Sequence, residues 1–325
     1  MAKEKVLITG GAGYIGSVLI GHLLKRGYNV ACLDNLLYRQ GSLRGYMKNP
    51  NFKFFLRDAR EKEFVRRNIS DFDVIIPLAA IVGMPACDKN PESAKEINQD
   101  AVIMLDELRS PNQKMIFPTT NSGYGTKTGD VFCTEETPLE PISLYGKTKC
   151  EAEKYLLESG KGAVTLRLAT VFGMSPRMRT DLLVNDFVLR ALCEGEIKIY
   201  EKHFKRNFAN IQDIARCFEH CIKNYDLMKG SCYNVGLDSA NISKLELANK
   251  VKEHIPEFKI IEDEIGKDPD KRNYVVSNER LRKAGFECLY SLDRGIEELI
   301  RGYNQLIKSA HYNCEKLRKP HYTNI

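Results

Sequence analysis

The chain has 325 residues, 43% of them hydrophobic and 28% charged, and a net charge of +6. Such a length buries a substantial core in one large domain or two modest ones, and the composition is ordinary for a soluble globular protein. No apolar run approaches the roughly 20 residues that span a bilayer, and the opening Met1-Ala2-Lys3-Glu4-Lys5 runs into a short apolar strand instead of a signal peptide. A cytoplasmic protein with no membrane partner is expected. Basic residues are interspersed with acids, which argues against a nucleic-acid partner; only 308–319 is locally basic, and it reads as a solvated or loosely packed end. A mild basic excess suits small anionic ligands carrying diphosphates. The ten cysteines form no Cys-x-x-Cys pair and read as free thiols of a reducing compartment. The six histidines lack metal-ligand spacing, so no metal is expected.

Val6-Leu7-Ile8-Thr9 predicts a buried strand, followed by a glycine-rich turn and an apolar helix over 14–25. Further strands are expected at 29–33, 52–56, 74–76, 114–117 and 163–169, with an amphipathic stretch over 93–108 and a helix from Tyr145 to about Glu158. Short continuous apolar strands alternating with helices indicate an α/β fold, a Rossmann-type doubly wound parallel sheet covered on both faces. Past Val171 the pattern loosens, and helical stretches at 182–194, 213–224, 244–254 and 292–307 mix with short strands and Pro/Gly breaks. Residues 1–171 read as the sheet domain, and 172–325 as mainly a smaller mixed α/β substrate-binding lobe, partly interleaved with it.

Gly10, Gly13 and Gly16 stand between the first strand and first helix, around Tyr14 and Ile15. Glycines there permit a tight turn, let backbone N–H groups approach a pyrophosphate, and let helix pack closely on strand. The helix N-terminus adds unpaired donors and a partial positive charge. Asp34 ends the second strand, 18 residues past Gly16, with Asn35 beside it. An acid at that spacing holds the adenosine ribose hydroxyls and repels a 2′-phosphate, which favours NAD over NADP.

Tyr145 and Lys149 lie one helical turn apart in Tyr145-Gly-Lys-Thr-Lys149. A neighbouring ammonium favours the phenolate, so such a tyrosine can take a proton from a substrate alcohol while a hydride leaves the same carbon. Tyr225/Lys229 and Tyr312/Lys316 share the spacing and read as surface coincidences. Gly-x-x-Gly-x-x-Gly joined to Tyr145-x-x-x-Lys149 resembles the extended short-chain dehydrogenase/reductase superfamily, over essentially the whole chain. The resemblance implies that Asp58 and Ala59 contact adenine and that Leu78, Ala79 and Ala80 form the fourth-strand segment beside the cofactor, with Pro77 in place of the usual histidine. It implies that Asn98 supports the backbone there. It also places Thr120 as the catalytic hydroxyl that stabilises charge on the reacting oxygen, with Lys149 on the nicotinamide ribose.

The next two positions discriminate among reactions. Nucleotide-sugar 4,6-dehydratases of this superfamily carry Asp then Glu there, and 3,5-epimerases carry a cysteine at the second; this chain has Asn121 and Ser122. Chemistry needing one base remains: oxidation at a single carbinol, most simply sugar C4, or C4 epimerisation through a transient ketone. A non-enzymatic NAD-binding sensor is a reading of another class, and the intact Tyr-Lys pair argues against it. On the substrate side, Arg206 and Arg272 resemble diphosphate-binding arginines, whose planar fork suits phosphate oxygens. Thr170 replaces a common phosphate-contacting asparagine. Arg177, Arg179 and Asn185, in the next loop and helix, are sugar or phosphate candidates. Strings such as Leu-Ala-Ala-Ile-Val-Gly and Thr-Asn-Ser-Gly-Tyr-Gly are similar to those of bacterial GDP-D-glycero-α-D-manno-heptose C4-dehydrogenases, which act in capsular heptose biosynthesis. That similarity implies a GDP-linked sugar substrate and a homodimer.

Overall fold

A computed structural model describes residues 3–127, 132–262, 273–309 and 314–318. Seven parallel strands form one sheet in the spatial order Ser231–Val235, Val164–Leu168, Lys114–Thr120, Val74–Pro77, Lys5–Thr9, Asn29–Asp34, Phe52–Leu56. The strands are continuous apolar runs because both faces are covered: Ile8, Leu19 and Val74 belong to one core cluster, and Leu7, Val65 and Met115 to another. From Lys5–Thr9 the chain moves outward through two strands, then crosses back to Val74–Pro77 on the other side. That reversal opens a crevice at the carboxyl ends of the strands, between Thr9 and Pro77.

The expected strands and helices form, and three features of them are informative. Lys114–Thr120 continues past Phe117 because Pro118 and Thr120 find register partners in Leu166 and Leu168. The 93–108 stretch is not one helix. It runs as Pro91–Lys95, a π-helical turn Glu96–Asp100, and Ala101–Leu108; such turns often mark functional positions. Past residue 171, Ser231–Val235 returns as the seventh strand, and helix Ile211–Lys223 lies beside the first helix, where Glu219 Oε2 meets His22 Nε2 at 2.6 Å. A third core cluster, including Phe172, Phe187, Leu247, Ile296 and Tyr303, fills the remaining lobe. That lobe carries a three-stranded sheet of Asn241–Ser243, Lys205–Asn210 and Thr170–Phe172.

Two expectations about side chains fail. Cys193 and Cys314 form a disulfide across 121 residues, while the other eight cysteines are free thiols. The bond ties the short helix Cys314–Arg318 to the lobe, where Leu317 is buried, so this part of the basic end is packed. No local spacing could reveal the pair, because the chain fold alone brings the two Cα atoms to 5.6 Å. Tyr225 is no surface residue: buried, it donates to Gly162 O at 2.7 Å and accepts from Met115 N at 2.9 Å. Its spacing partner Lys229 pairs with Asp226 at 2.8 Å. Tyr312 lies outside the described residues. Among the described residues, no helix is long and apolar enough to cross a membrane, and no group of His, Cys, Asp or Glu could hold a metal. Thiol titration of the denatured protein should find eight reactive groups without reductant and ten after reduction; ten in both cases would rule out the bond.

Candidate active site

A cavity of about 610 Å³ occupies the crevice at the strand ends. At one end, the turn after Lys5–Thr9 brings Gly10 against the fourth strand's exit. Gly10 has φ +68°, and a Cβ there would lie 2.4 Å from Ala79 N. Gly16 lets the first helix close on the turn, since its Cβ would stand 2.6 Å from Gly11 Cα. The helix Tyr14–Lys25 begins at Gly13 with no side-chain cap, so its first N–H groups stay available to an anion. Asp34 Oδ2 accepts from Ala12 N at 2.9 Å and Oδ1 from Leu36 N at 2.8 Å. Burial pushes the Asp34 carboxyl up, and those two backbone donors oppose it. Asp58 is held down to about 2 by Arg60, which bonds it at 2.9 and 3.0 Å; Asn35 Nδ2 reaches the same carboxylate at 2.9 Å. Ala59, Leu78, Ala79, Ala80, Tyr14 and Ile15 complete this end.

At the other end stand Thr120, Tyr145 and Lys149, all lining the cavity. Ser143 caps the helix Leu144–Glu158, its hydroxyl accepting from Gly146 N at 3.1 Å, which sets Tyr145 in the first turn. Thr120 Oγ1 and Ser122 Oγ are 2.8 Å apart. The Lys149 ammonium lies 3.8 Å from the centre of the Phe117 ring. Burial lowers its pKa to about 7, against the attraction of Glu153 and Cys150. The cation expected beside Tyr145 is therefore itself close to its own neutralisation. Glu153 is held by both oxygens: Oε2 accepts from Thr119 Oγ1 at 2.8 Å, and Oε1 from Arg167 Nε and Nη2 at 2.8 and 2.7 Å. Arg167 Nη1 also donates to Tyr124 OH at 3.0 Å, which donates to Asn234 Oδ1 at 2.7 Å.

Thr170, Arg177, Arg179 and Arg206 line the cavity. Arg177 lies over the Tyr38 ring at 5.2 Å and bears electrostatically on Asp34, so it stands towards the glycine-turn end. Arg179 pairs with Asp181, another lining residue, at 2.7 Å. Four of the expected site residues do not line the cavity. Asn98 is fully buried, its amide clasping Ile81 by N–H and C=O, each at 2.9 Å, so it props the cavity wall from behind. Asn185 is equally buried, bonding Gly173 N at 3.0 Å, Tyr14 OH at 3.1 Å and Arg179 O at 2.8 Å. It ties the loop after Phe172 to the glycine turn instead of reaching outward. Asn121 and Ser122 are buried behind Thr120 at 1% exposure each. Arg272 lies outside the described residues. Tyr38, Thr119, Lys244 and Tyr274 line the cavity without having been singled out from sequence. For Lys244 the Ser243–Glu246 capping box marked the helix start, but nothing local gave the side chain's direction.

The cavity thus has an uncapped helix N-terminus and the Asp34 carboxylate at one end, and Thr120, Tyr145 and Lys149 at the other. The sequence profile of the NAD dependent epimerase/dehydratase family matches residues 6–236. This chain belongs to that family. It is an NAD-dependent enzyme of the extended short-chain dehydrogenase/reductase type. It is 28% identical to the low-salt glycan biosynthesis protein Agl12 of Haloferax volcanii, over 92% of this chain and 98% of that one. It is 32% identical to the uncharacterized UDP-glucose epimerase YtcB of Bacillus subtilis, over 76% and 79%. Its fold is similar to that of the Thermotoga maritima UDP-glucose 4-epimerase with UDP-glucose, at a TM-score of 0.80 and 25% identity, covering 94% and 100% of the two chains. The Thermus thermophilus UDP-glucose 4-epimerase complex with NAD gives 0.79 and 26%, covering 92% and 99%.

Two variants test this geometry. Asn98→Ala strands the Ile81 N–H and C=O in the interior and should cost about 2–4 kcal/mol in urea unfolding; a loss under about 0.5 kcal/mol would show that the clasp is dispensable. Lys149 has a folded pKa of about 7 against an ordinary 10.5, so the folded state releases its proton first. Stability of the NAD-free protein should rise between about pH 7 and 10. That rise should be smaller in Lys149→Met, and identical pH slopes would mean that Lys149 titrates normally.

Proposed function

We propose that the protein oxidises the C4 hydroxyl of a nucleotide-linked sugar to a 4-keto sugar, with GDP-manno-heptose as the best-fitting substrate and surface polysaccharide synthesis in the cytoplasm as its setting. The observation that carries this reading is the chemistry of the cavity wall. Among the described residues, its carboxylates are Asp34 and Asp58, at the glycine-turn end, and Asp181, paired with Arg179. Among the described residues, no glutamate, cysteine or histidine lines it. Beside Thr120, therefore, no described carboxylate, thiol or imidazole stands ready to eliminate water or to abstract a carbon-bound proton. NAD, when bound, supplies the hydride acceptor. Tyr145 takes the hydroxyl proton, Thr120 Oγ1 hydrogen-bonds the reacting oxygen, and Lys149 orients the ribose and favours the tyrosinate. Gly10, Gly13 and Gly16 admit the pyrophosphate, and Asp34 the adenosine ribose. Arg206, with Arg272, holds the substrate diphosphate. The GDP linkage and capsular role rest on motif similarity, as does a homodimer. C4 epimerisation is the second reading, favoured by the likeness to the two UDP-glucose 4-epimerases.

Incubation with GDP-, UDP-, CDP- and dTDP-sugars, including GDP-manno-heptose, followed by product NMR and cofactor absorbance, tests the proposal. A 4-keto product with reduced cofactor is expected. A redox-neutral C4 epimer would favour the second reading, and a 6-deoxy-4-keto product would refute both. Tyr145→Phe should lose turnover by several orders of magnitude while retaining NAD. Normal turnover in that variant would remove Tyr145 from the role of base.

A further inference from the structure

Thr119 and Thr120 end the strand Lys114–Thr120, and successive residues of a strand face opposite ways. The Thr119 hydroxyl donates to Glu153 Oε2 at 2.8 Å, which commits it to the interior. The Thr120 hydroxyl is left to the cavity that Thr120 lines. Beyond Thr120 the chain enters a tight helical turn, Asn121–Tyr124, capped by the Thr120 side chain. That turn brings two groups of Ser122 onto one atom. Ser122 N donates to Thr120 Oγ1 at 3.1 Å, and Ser122 Oγ lies 2.8 Å from the same oxygen. Ser122 is buried, and among the described residues Thr120 Oγ1 is the one hydrogen-bond partner of its hydroxyl.

A buried hydroxyl proton without an acceptor is costly, so the Ser122 proton goes to Thr120 Oγ1. A threonine oxygen has two lone pairs and one proton. The N–H and O–H of Ser122 fill both lone pairs, and the Thr120 proton is left for the cavity, which Tyr145 and Lys149 also line. We infer that Ser122 is a positioning residue, which locks Thr120 as a hydrogen-bond donor to the reacting oxygen. This rests on the C4-oxidation reading. In that reaction the C4–H bond breaks, its electron pair passing as hydride to NAD. The hydroxyl proton passes to Tyr145, and the sugar oxygen gathers charge that the Thr120 proton stabilises. A freely turning threonine hydroxyl would also accept from the sugar hydroxyl, in competition with Tyr145. Donation from Ser122 prevents this, and it polarises the Thr120 O–H bond so that its own hydrogen bond strengthens. The position that holds no acid or base thus serves the reaction through its hydroxyl.

Neutron diffraction from crystals grown in heavy water reads the polarity of this pair without any turnover. A Ser122 deuteron directed at Thr120 Oγ1 is expected, and the reverse polarity would overturn the assignment. Reduction of bound NAD, followed by absorbance after mixing with GDP-manno-heptose or with UDP-, CDP- or dTDP-glucose, tests the consequence. Ser122→Ala should slow it about tenfold with KM and NAD content unchanged. The rise of kcat with pH should also move to higher pH, because the ionised complex of sugar hydroxyl and Tyr145 loses stabilisation. Thr120→Val removes the hydroxyl through which Ser122 acts, so adding Ser122→Ala to it should cost little more. A wild-type rate and pH profile in Ser122→Ala, or losses that simply add in the double variant, would overturn the positioning role and leave the oxidation reading intact. Wild-type protein whose NAD was reduced by none of these sugars would overturn both.

Discussion

Glu153 holds the chemical end of this protein together. Its two oxygens join the helix Leu144–Glu158 to two strands, through the Thr119 hydroxyl on one and the Arg167 guanidinium on the other. Arg167 extends the brace to Tyr124, and Tyr124 to Asn234 on the strand that returns late in the chain. The whole assembly is buried, so removing Glu153 or Arg167 would leave an uncompensated charge in the interior. Thr120 follows Thr119 directly, and Lys149 lies one helical turn before Glu153. The brace thereby fixes the spacing between the strand's hydroxyl and the helix's tyrosine and lysine. It also supplies the negative charge that partly offsets the burial cost of the Lys149 ammonium.

At the opposite end the constraint is steric. Gly10 packs against the Ala79 backbone, and Gly16 against Gly11, so the turn, first helix and fourth strand meet with no room for side chains. The loop after Phe172 is then stitched onto this turn. Tyr14 donates to Gly173 O, Asn185 accepts from Gly173 N, and Ser175 donates to Tyr14 O. Segments from the second half of the chain thus help shape the end that holds the glycine turn. Arg177, in that loop, reaches over Tyr38 towards Asp34 for the same reason.

Much of this was legible before any coordinates. The glycine turn, the acid ending the second strand and the Tyr145–Lys149 spacing are local patterns whose geometry is dictated by helix and strand periodicity. Their residues do line one cavity. The difficulty began where direction mattered more than spacing. Asn121, Ser122 and Asn185 are themselves expected site residues, yet each is buried and does not line the cavity. Lys244 does the reverse, lining the cavity from a position that reads as an ordinary helix start. Tyr225, an apparent duplicate of the Tyr-Lys pattern, proved to be a buried pin between strands and loops.

The sequence by itself determined the parallel α/β architecture, the dinucleotide turn and the Tyr-Lys pair, because these depend on hydrophobic period, glycine sterics and contacts within one helical turn. Tertiary structure alone decided the Glu153 brace, the Cys193–Cys314 bond, the inward turn of Asn121 and the placing of Lys244 in the cavity wall. Those features depend on residues far apart in the chain, whose meeting is set by sheet order and strand register. No local rule encodes either one.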